Sequence, residues 1–293
     1  MTKDFNALFS QYNCALDDAQ MSRKVSELLA EKALSNKTKD VYRQCFSQID
    51  LTSLNTTDSV GVIEKMVEKV NQFDKEFPDM PSVAAICIYP CFAGTVKNAL
   101  QKPLGIAAVS AGFPSSQTFI EVKIAETSMA VASGASEIDV VISVGTFLAG
   151  EYETVFDELT ELKAACRGAH FKVILETGAL ASAKAIKKAA ILAMAAGADF
   201  IKTSTGKLTP AATPEAAYVM CGAIKEFYDK TGTKVGFKPA GGISTTEEAV
   251  NYYTIVKELL GNEWLTNTLF RFGASRLANS LLSDIYDKKV TYF

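Results

Sequence analysis

The chain reads as an α/β protein, a (β/α)8 TIM barrel with an N-terminal helical extension. Three observations predict this. Eight short apolar runs alternate with helical segments from residue 49 onward, the pattern of parallel strands joined by crossover helices. A length of 293 residues suits one such barrel without requiring a second domain. Polar residues recur on one parity of the strand candidates and apolar residues on the other, as a cylinder sheathed in helices requires. A doubly wound sheet is the competing arrangement.

Taken in order, residues 1–48 form the extension, with amphipathic stretches from Met21 to Leu34 and from Lys39 to Phe46. The barrel spans 49–285 and a tail follows over 286–293. Its strand candidates begin with Ile49–Leu54, Val83–Tyr89 and Ile106–Ser110. In Val83–Tyr89, Ile86 and Ile88 share a face and Cys87 takes the other. Glu137–Val144 sets Ile138, Val140 and Ile142 against Asp139, and Lys172–Thr177 sets Val173 and Leu175 against Lys172 and Glu176. In Phe200–Thr205 Ile201 opposes Lys202, and in Val235–Pro239 Phe237 opposes Lys238. Phe270–Gly273 completes the eight. Helical periodicity fills the intervals over Gly61–Phe73, Phe119–Ser133, Tyr152–Arg167, Ala183–Ala196, Pro214–Lys230 and Thr246–Leu260. No Pro/Ser-rich linker or internal repeat divides the chain.

Composition excludes several classes of function. A formal charge of −3 without a basic block argues against nucleic acid as a partner. No apolar run approaches the roughly 18 residues of a membrane span, and the opening Met-Thr-Lys-Asp-Phe-Asn has no signal-peptide core. The six cysteines (14, 45, 87, 91, 166 and 221) lack paired spacing, so free thiols in a reducing cytoplasm are expected. Only one histidine, His170, is present, at a turn before a strand. Ser-His-Asp hydrolysis, HExxH metalloproteases and His-rich metal sites are thereby excluded.

Lys202 and Lys238 are the informative residues. Each stands inside an apolar strand that ends in glycine, and burying an ammonium disfavours its charged form. At roughly 6 Å and an effective dielectric of about 20, two such charges repel by about 2.8 kcal/mol. That corresponds to about two pKa units, and burial adds to it. An amine brought from about 10.4 towards 7 is a nucleophile suited to a Schiff base. The other inward polar residues imply a cluster converging on the same centre.

Three glycine-bearing turns follow the last three strands: Thr205-Gly206-Lys207, Gly241-Gly242-Ile243-Ser244 and Gly273-Ala274-Ser275-Arg276. Glycine lets backbone N–H groups approach an anion, and barrels often bind phosphate after strands 7 and 8. A nucleotide P-loop is disfavoured, because Lys207 is followed by Leu208 and no glycine lies five positions upstream of Gly206.

These residues resemble the deoxyribose-phosphate aldolase family of Schiff-base aldolases. The blocks are Asp50–Asn55, Ala85–Pro90, Glu137–Val141, Lys172–Gly178, Phe200–Lys207 and Gly236–Gly242, and the likeness runs from about Ile49 to about Leu281. The resemblance implies a TIM barrel that reversibly cleaves 2-deoxy-D-ribose 5-phosphate to acetaldehyde and D-glyceraldehyde 3-phosphate, with no metal and no cofactor. It implies Lys202 as the Schiff-base lysine, Lys238 as the residue keeping it reactive, and Asp139 as the acid/base. It further implies that Asp50, Cys87, Lys172 and Thr203 line the pocket, and that Gly206, Lys207, Gly241, Gly242, Gly273 and Ser275 hold the phosphate. The expected partners are a small-molecule sugar phosphate and an aldehyde, with a homodimer allowed.

The chain departs from the family pattern where Cys91 and Ser244 stand in place of arginines, and where Arg276 follows Ser275. It ends Tyr292-Phe293, whereas some members end in a tyrosine directed at the active site. Two other readings stay open: another Schiff-base sugar-phosphate aldolase or transaldolase, and a non-catalytic phosphosugar-binding barrel.

Overall fold

A computed structural model describes residues 4–293. Ahead of the first strand, Asp4, Asp17 and Thr38 each accept a hydrogen bond from the backbone N–H three residues on. Each thereby starts a helix: α1 (Phe5–Ser10), α2 (Asp18–Lys32) and α3 (Lys39–Ser47). The alternation then runs β1 (Ile49–Thr52), α4 (Val60–Glu76), β2 (Ala85–Ile88), α5 (Ala93–Ala99), β3 (Gly105–Ser110), α6 (Ile120–Ala132) and β4 (Glu137–Val141). After β4 come α7 (Val144–Leu148), α8 (Tyr152–Ala165), β5 (His170–Ile174), α9 (Thr177–Leu180), α10 (Ala183–Ala195) and β6 (Phe200–Lys202). The chain finishes with α11 (Pro214–Thr231), β7 (Gly236–Lys238), α12 (Thr246–Leu260), β8 (Phe272–Ala274) and α13 (Arg276–Tyr286). None of these helices is long and apolar enough to cross a membrane.

Strands β1 to β7 pair in parallel in sequence order, and β8 pairs with β1. The cylinder closes between β7 and β8. Phe237 N donates to Leu269 O at 2.9 Å, Arg271 N to Phe237 O at 3.1 Å, and Gly273 N to Pro239 O at 2.9 Å. Strand β7 stops at Lys238, one residue short of the expected Pro239, which has no N–H to continue the ladder.

The parity argument holds in three dimensions. Ile86, Ile88, Ile138, Val140, Val173, Ile201 and Phe237 face outward into one apolar layer shared with the helices. The inside of the barrel is divided. Leu54, Cys87, Ala107 and Val109 form a small apolar cluster on the β1–β3 side. Asp50, Glu137, Asp139, Lys172, Lys202, Lys238 and Arg271 are all buried, five of them from strands β4 to β7. Isolated charges at such depth would be prohibitive, so they must be paired.

From Asp4 onward, the extension lies outside the ring of helices. Phe9 meets Tyr152 edge-on at 5.0 Å and Tyr12 stacks on Phe227 at 6.3 Å, while α2 packs on α11 and α12, and α3 on α12 and α13. Asp18 Oδ1 accepts from Ala183 N at 2.6 Å, capping α10 from 165 residues away in sequence. Phe5, Phe9, Tyr12, Met21 and Phe46 join the barrel's own apolar layer, so the extension has no separate core. The tail is held by Asn279, whose Oδ1 accepts from Tyr292 N and Phe293 N, each at 2.9 Å. Tyr292 packs on Phe73 and Phe77 and donates its hydroxyl to Lys69 O at 2.7 Å, so its phenol is spent on α4.

Candidate active site

The strands' register builds the centre. Asp139 is the partner of Lys172 across β4 and β5, and Lys202 of Lys238 across β6 and β7. Asp50 comes from β1, and Arg271 immediately precedes β8. These groups form a closed ring of alternating charge. Arg271 Nη1 lies 2.6 Å from Asp50 Oδ1, whose Oδ2 lies 2.5 Å from Lys238 Nζ. Lys238 Nζ is 2.7 Å from Asp139 Oδ2, and Asp139 Oδ1 is 3.3 Å from Lys172 Nζ. Lys172 Nζ pairs with Glu137 Oε2, and Glu137 Oε1 accepts from Arg271 Nη2 at 3.0 Å. A strut of 3.1 Å from Lys172 Nζ to Asp50 Oδ2 crosses the ring.

Three carboxylates and three cations make the ring neutral. Lys202 stands outside it, touching at one point, where Nζ donates to Asp139 Oδ2 at 2.9 Å. Asp139 Oδ1 accepts no hydrogen bond from the described residues.

Burial alone would raise the pKa of Asp139, but Lys172, Lys202 and Lys238 outweigh it and hold the carboxyl well below its usual range. Asp50 is likewise held low against burial by Lys172, Lys238 and Arg271, and Glu137 is lowered by Lys172 and Arg271. Burial pulls Lys238 down, yet Asp139 and Asp50 prevail and the net shift is upward. Lys172 is raised well above its ordinary value by Asp139, Asp50 and Glu137. This corrects the expectation that burial and a neighbouring lysine depress Lys238. A carboxylate sits between the two amines, and Lys238 is a firmly held cation.

One polar cavity of about 210 Å3 opens above the ring. Of the residues expected at the site, Lys202, Gly206, Lys207, Gly241, Gly242, Gly273 and Ser275 line it. Asp50, Cys87, Asp139, Lys172, Thr203 and Lys238 are fully buried and do not form its wall. For Asp50 and Lys172 the reason is the ion pairing just described. The Cys87 thiol packs in the apolar half of the barrel, where burial pushes its pKa up. The Thr203 hydroxyl is taken by Ala240, accepting from its N–H at 3.0 Å and donating to its carbonyl at 3.2 Å.

Gly241 and Gly242 have φ of 90° and 86°, in the left-handed region that L side chains avoid. A Cβ on Gly241 would come within 2.7 Å of Ala211 Cβ and 2.9 Å of Gly206 Cα, so the turns after β6 and β7 pack directly on each other. Lys207 Nζ donates to Leu54 O across the mouth. Arg276, at the start of α13, also lines the cavity, whereas Ser244 N donates to Glu248 Oε2 at 2.8 Å within the capping box of α12. A larger, mostly apolar cavity of about 510 Å3 lies between α2, α10 and α11 and is lined by no member of the ring.

Glu137 and Arg271 are ring members that the sequence reading did not place in the site. Both carried the signal used for the others, since Glu137 shares the parity of Asp139 and Arg271 alternates with Phe270 and Phe272.

Comparison with known proteins identifies the family. Residues 45–257 match the family model described as DeoC/LacD family aldolase. A mouse (Mus musculus) protein named deoxyribose-phosphate aldolase is 39% identical over 287 residues, covering 92% of this chain and 89% of its own. The human (Homo sapiens) protein of the same name is 42% identical over 253 residues, covering 81% and 78%. Among solved structures, an aldolase designated QR15 superposes with a TM-score of 0.69 at 27% identity, over 83% of this chain and 96% of its own. A tetrameric deoxyribose phosphate aldolase from Aeropyrum pernix shares the fold with a TM-score of 0.66 at 23% identity, over 86% and 95%. With a family model matched over most of its length and relatives near 40% identity, the chain belongs to the DeoC/LacD family of aldolases.

Proposed function

We propose that the protein reversibly cleaves 2-deoxy-D-ribose 5-phosphate to D-glyceraldehyde 3-phosphate and acetaldehyde through an imine on Lys202. One observation carries this reading. Lys202 alone among the buried charged cluster reaches the cavity wall, and it stands outside a ring that is already neutral. The ring does not need its proton, whereas Lys172, Lys238 and Arg271 are each balanced by carboxylates.

In this mechanism the Lys202 amine adds to the C1 aldehyde of the open-chain sugar, and loss of water gives a protonated imine. Removal of the C3 hydroxyl proton breaks the C2–C3 bond. Its electron pair passes into the imine as an enamine, and D-glyceraldehyde 3-phosphate leaves. Protonation of the enamine at C2 and hydrolysis release acetaldehyde and restore the amine. Asp139, hydrogen-bonded to Lys202 through Oδ2, relays these protons through water, with Lys238 the cation on the same oxygen. The backbone of Gly206, Gly241, Gly242, Gly273 and Ser275, with Lys207 and Arg276, receives the phosphate at the start of α13. Every one of these residues lies within 49–285, which makes that segment the catalytic unit and residues 4–48 its outer support.

The test is a product assay on 2-deoxy-D-ribose 5-phosphate. Acetaldehyde and D-glyceraldehyde 3-phosphate should appear in equal amounts, and Lys202→Met should abolish both while sugar phosphate still binds. Preference for dihydroxyacetone phosphate as donor, or undiminished turnover by Lys202→Met, would overturn the assignment.

A further inference from the structure

Arg271 differs from every other cation of the cluster in one chemical respect. Lysines and carboxylates exchange protons in the accessible pH range, whereas a guanidinium does not. It is 5% exposed, donates through Nη1 and Nη2 to Glu137 at 3.2 and 3.0 Å, and reaches Asp50 at 2.6 Å. Its guanidinium also lies over the Phe200 ring, 5.9 Å from the centroid, beside Lys172 at the same distance from that ring. Arg271 is therefore the fixed charge to which two of the three carboxylates are anchored, and through them Lys172 and Lys238.

Building on the imine reading above, we infer that Arg271 is a positioning residue that frees the Lys202 amine by holding the ring's charge at zero. Without that guanidinium, three carboxylates face two lysines. The surplus negative charge then meets Lys202 at Asp139 and retains a proton on it. Loss of the Glu137 charge has the opposite sense, leaving the ring positive and expelling the Lys202 proton sooner. The remaining charged or titratable groups facing this centre are few. Strand β2 presents Cys87 and β3 only Ala107 and Val109. Beyond β5, Glu176 is engaged by the Thr205 hydroxyl at 2.6 Å and the Thr205 N–H at 3.2 Å, beyond β6 Lys207 is tied to Leu54 O, and beyond β8 Arg276 lines the same cavity as Lys202.

The experiment is the pH profile of kcat/KM for 2-deoxy-D-ribose 5-phosphate in the wild type, Arg271→Met, Arg271→Lys, Glu137→Gln and the double variant Glu137→Gln/Arg271→Met. Removing one unit charge at this range moves the acid limb by about one pH unit at an effective dielectric of about 20. The limb should rise in Arg271→Met, fall in Glu137→Gln, return towards the wild-type position in the double variant and stay in place in Arg271→Lys. A merely structural arginine would lower the plateau without moving the limb, and the double variant would be worse than either single one. Limbs that coincide in all variants overturn the inference. Should Arg271→Met fail to fold, Glu137→Gln and the charge-balanced double variant decide the matter by themselves. A wild type that does not cleave the substrate would instead remove the imine reading on which the inference rests.

Discussion

Asp139 has two tasks that oppose each other energetically. It is the hinge between Lys172, Lys202 and Lys238, and in the proposed mechanism it is the carboxylate that moves protons. Replacing it with Asn removes the relay and leaves three amines around a neutral group. Turnover should drop by about 10²- to 10⁴-fold, and stability by about 3–5 kcal/mol as buried charges lose their partner. Steady-state kinetics with thermal melts check both. The ring also sets the pH dependence of folding. Asp50, Glu137 and Asp139 are held low in the fold, so their stabilisation is fully present above the unfolded value of about 4 and disappears as pH falls through the folded values. Lys172 and Lys238 are held high, so theirs is complete below about 10.4 and is lost only as pH rises beyond it. Melting temperature should therefore fall steeply below about pH 4, and an unchanged midpoint at about pH 3 contradicts the ring. At this scale the lysines and Asp139 were legible because a charge in an apolar strand is conspicuous. Which carboxylate compensated which lysine was not, because that depends on how far neighbouring strands are staggered around the cylinder.

The turns and helix starts that frame the cavity depend on backbone more than on side chains. Gly241 combines a φ of 90° with contact against Gly206 and Ala211. In Gly241→Ala the left-handed conformation becomes strained and the loop after β7 is pushed off the loop after β6. That costs about 1–2 kcal/mol for the conformation and raises KM for the phosphorylated substrate more than it lowers kcat. Kinetics with phosphorylated and unphosphorylated deoxyribose separate the two, and equal losses on both would count against a phosphate role for this turn. The positions of these glycine turns could be read because glycine marks them. Helix α13 is not among the expected helices, although Leu277, Ala278, Leu281, Leu282 and Ile285 form a buried face at helical spacing. Helices α1, α5, α7 and α9, each of seven residues or fewer, carry too few turns for a period to show.

The barrel as a whole followed from the alternation of elements, and the eight strands overlap the apolar runs, β5 starting at His170, which was expected in the preceding turn, and ending at Ile174 instead of Thr177. What the alternation did not disclose was the path of the extension around the helical ring, because that depends on distant partners. Phe9, 4% exposed, touches Tyr152 on α8, more than 140 residues away in sequence. Phe9→Ala should destabilise the protein by about 3 kcal/mol through the cavity it leaves, read as a lower melting temperature with KM unchanged. In the proposed mechanism one amine, Lys202, is kept accessible beside a neutral, buried ring of charge, and trapping that amine is the most direct test. Acetaldehyde and sodium borohydride should leave a reduced ethyl group on Lys202 at neutral pH, located by peptide mass mapping. An adduct at Lys238, Lys172 or Lys207 with Lys202 unmodified would contradict the account.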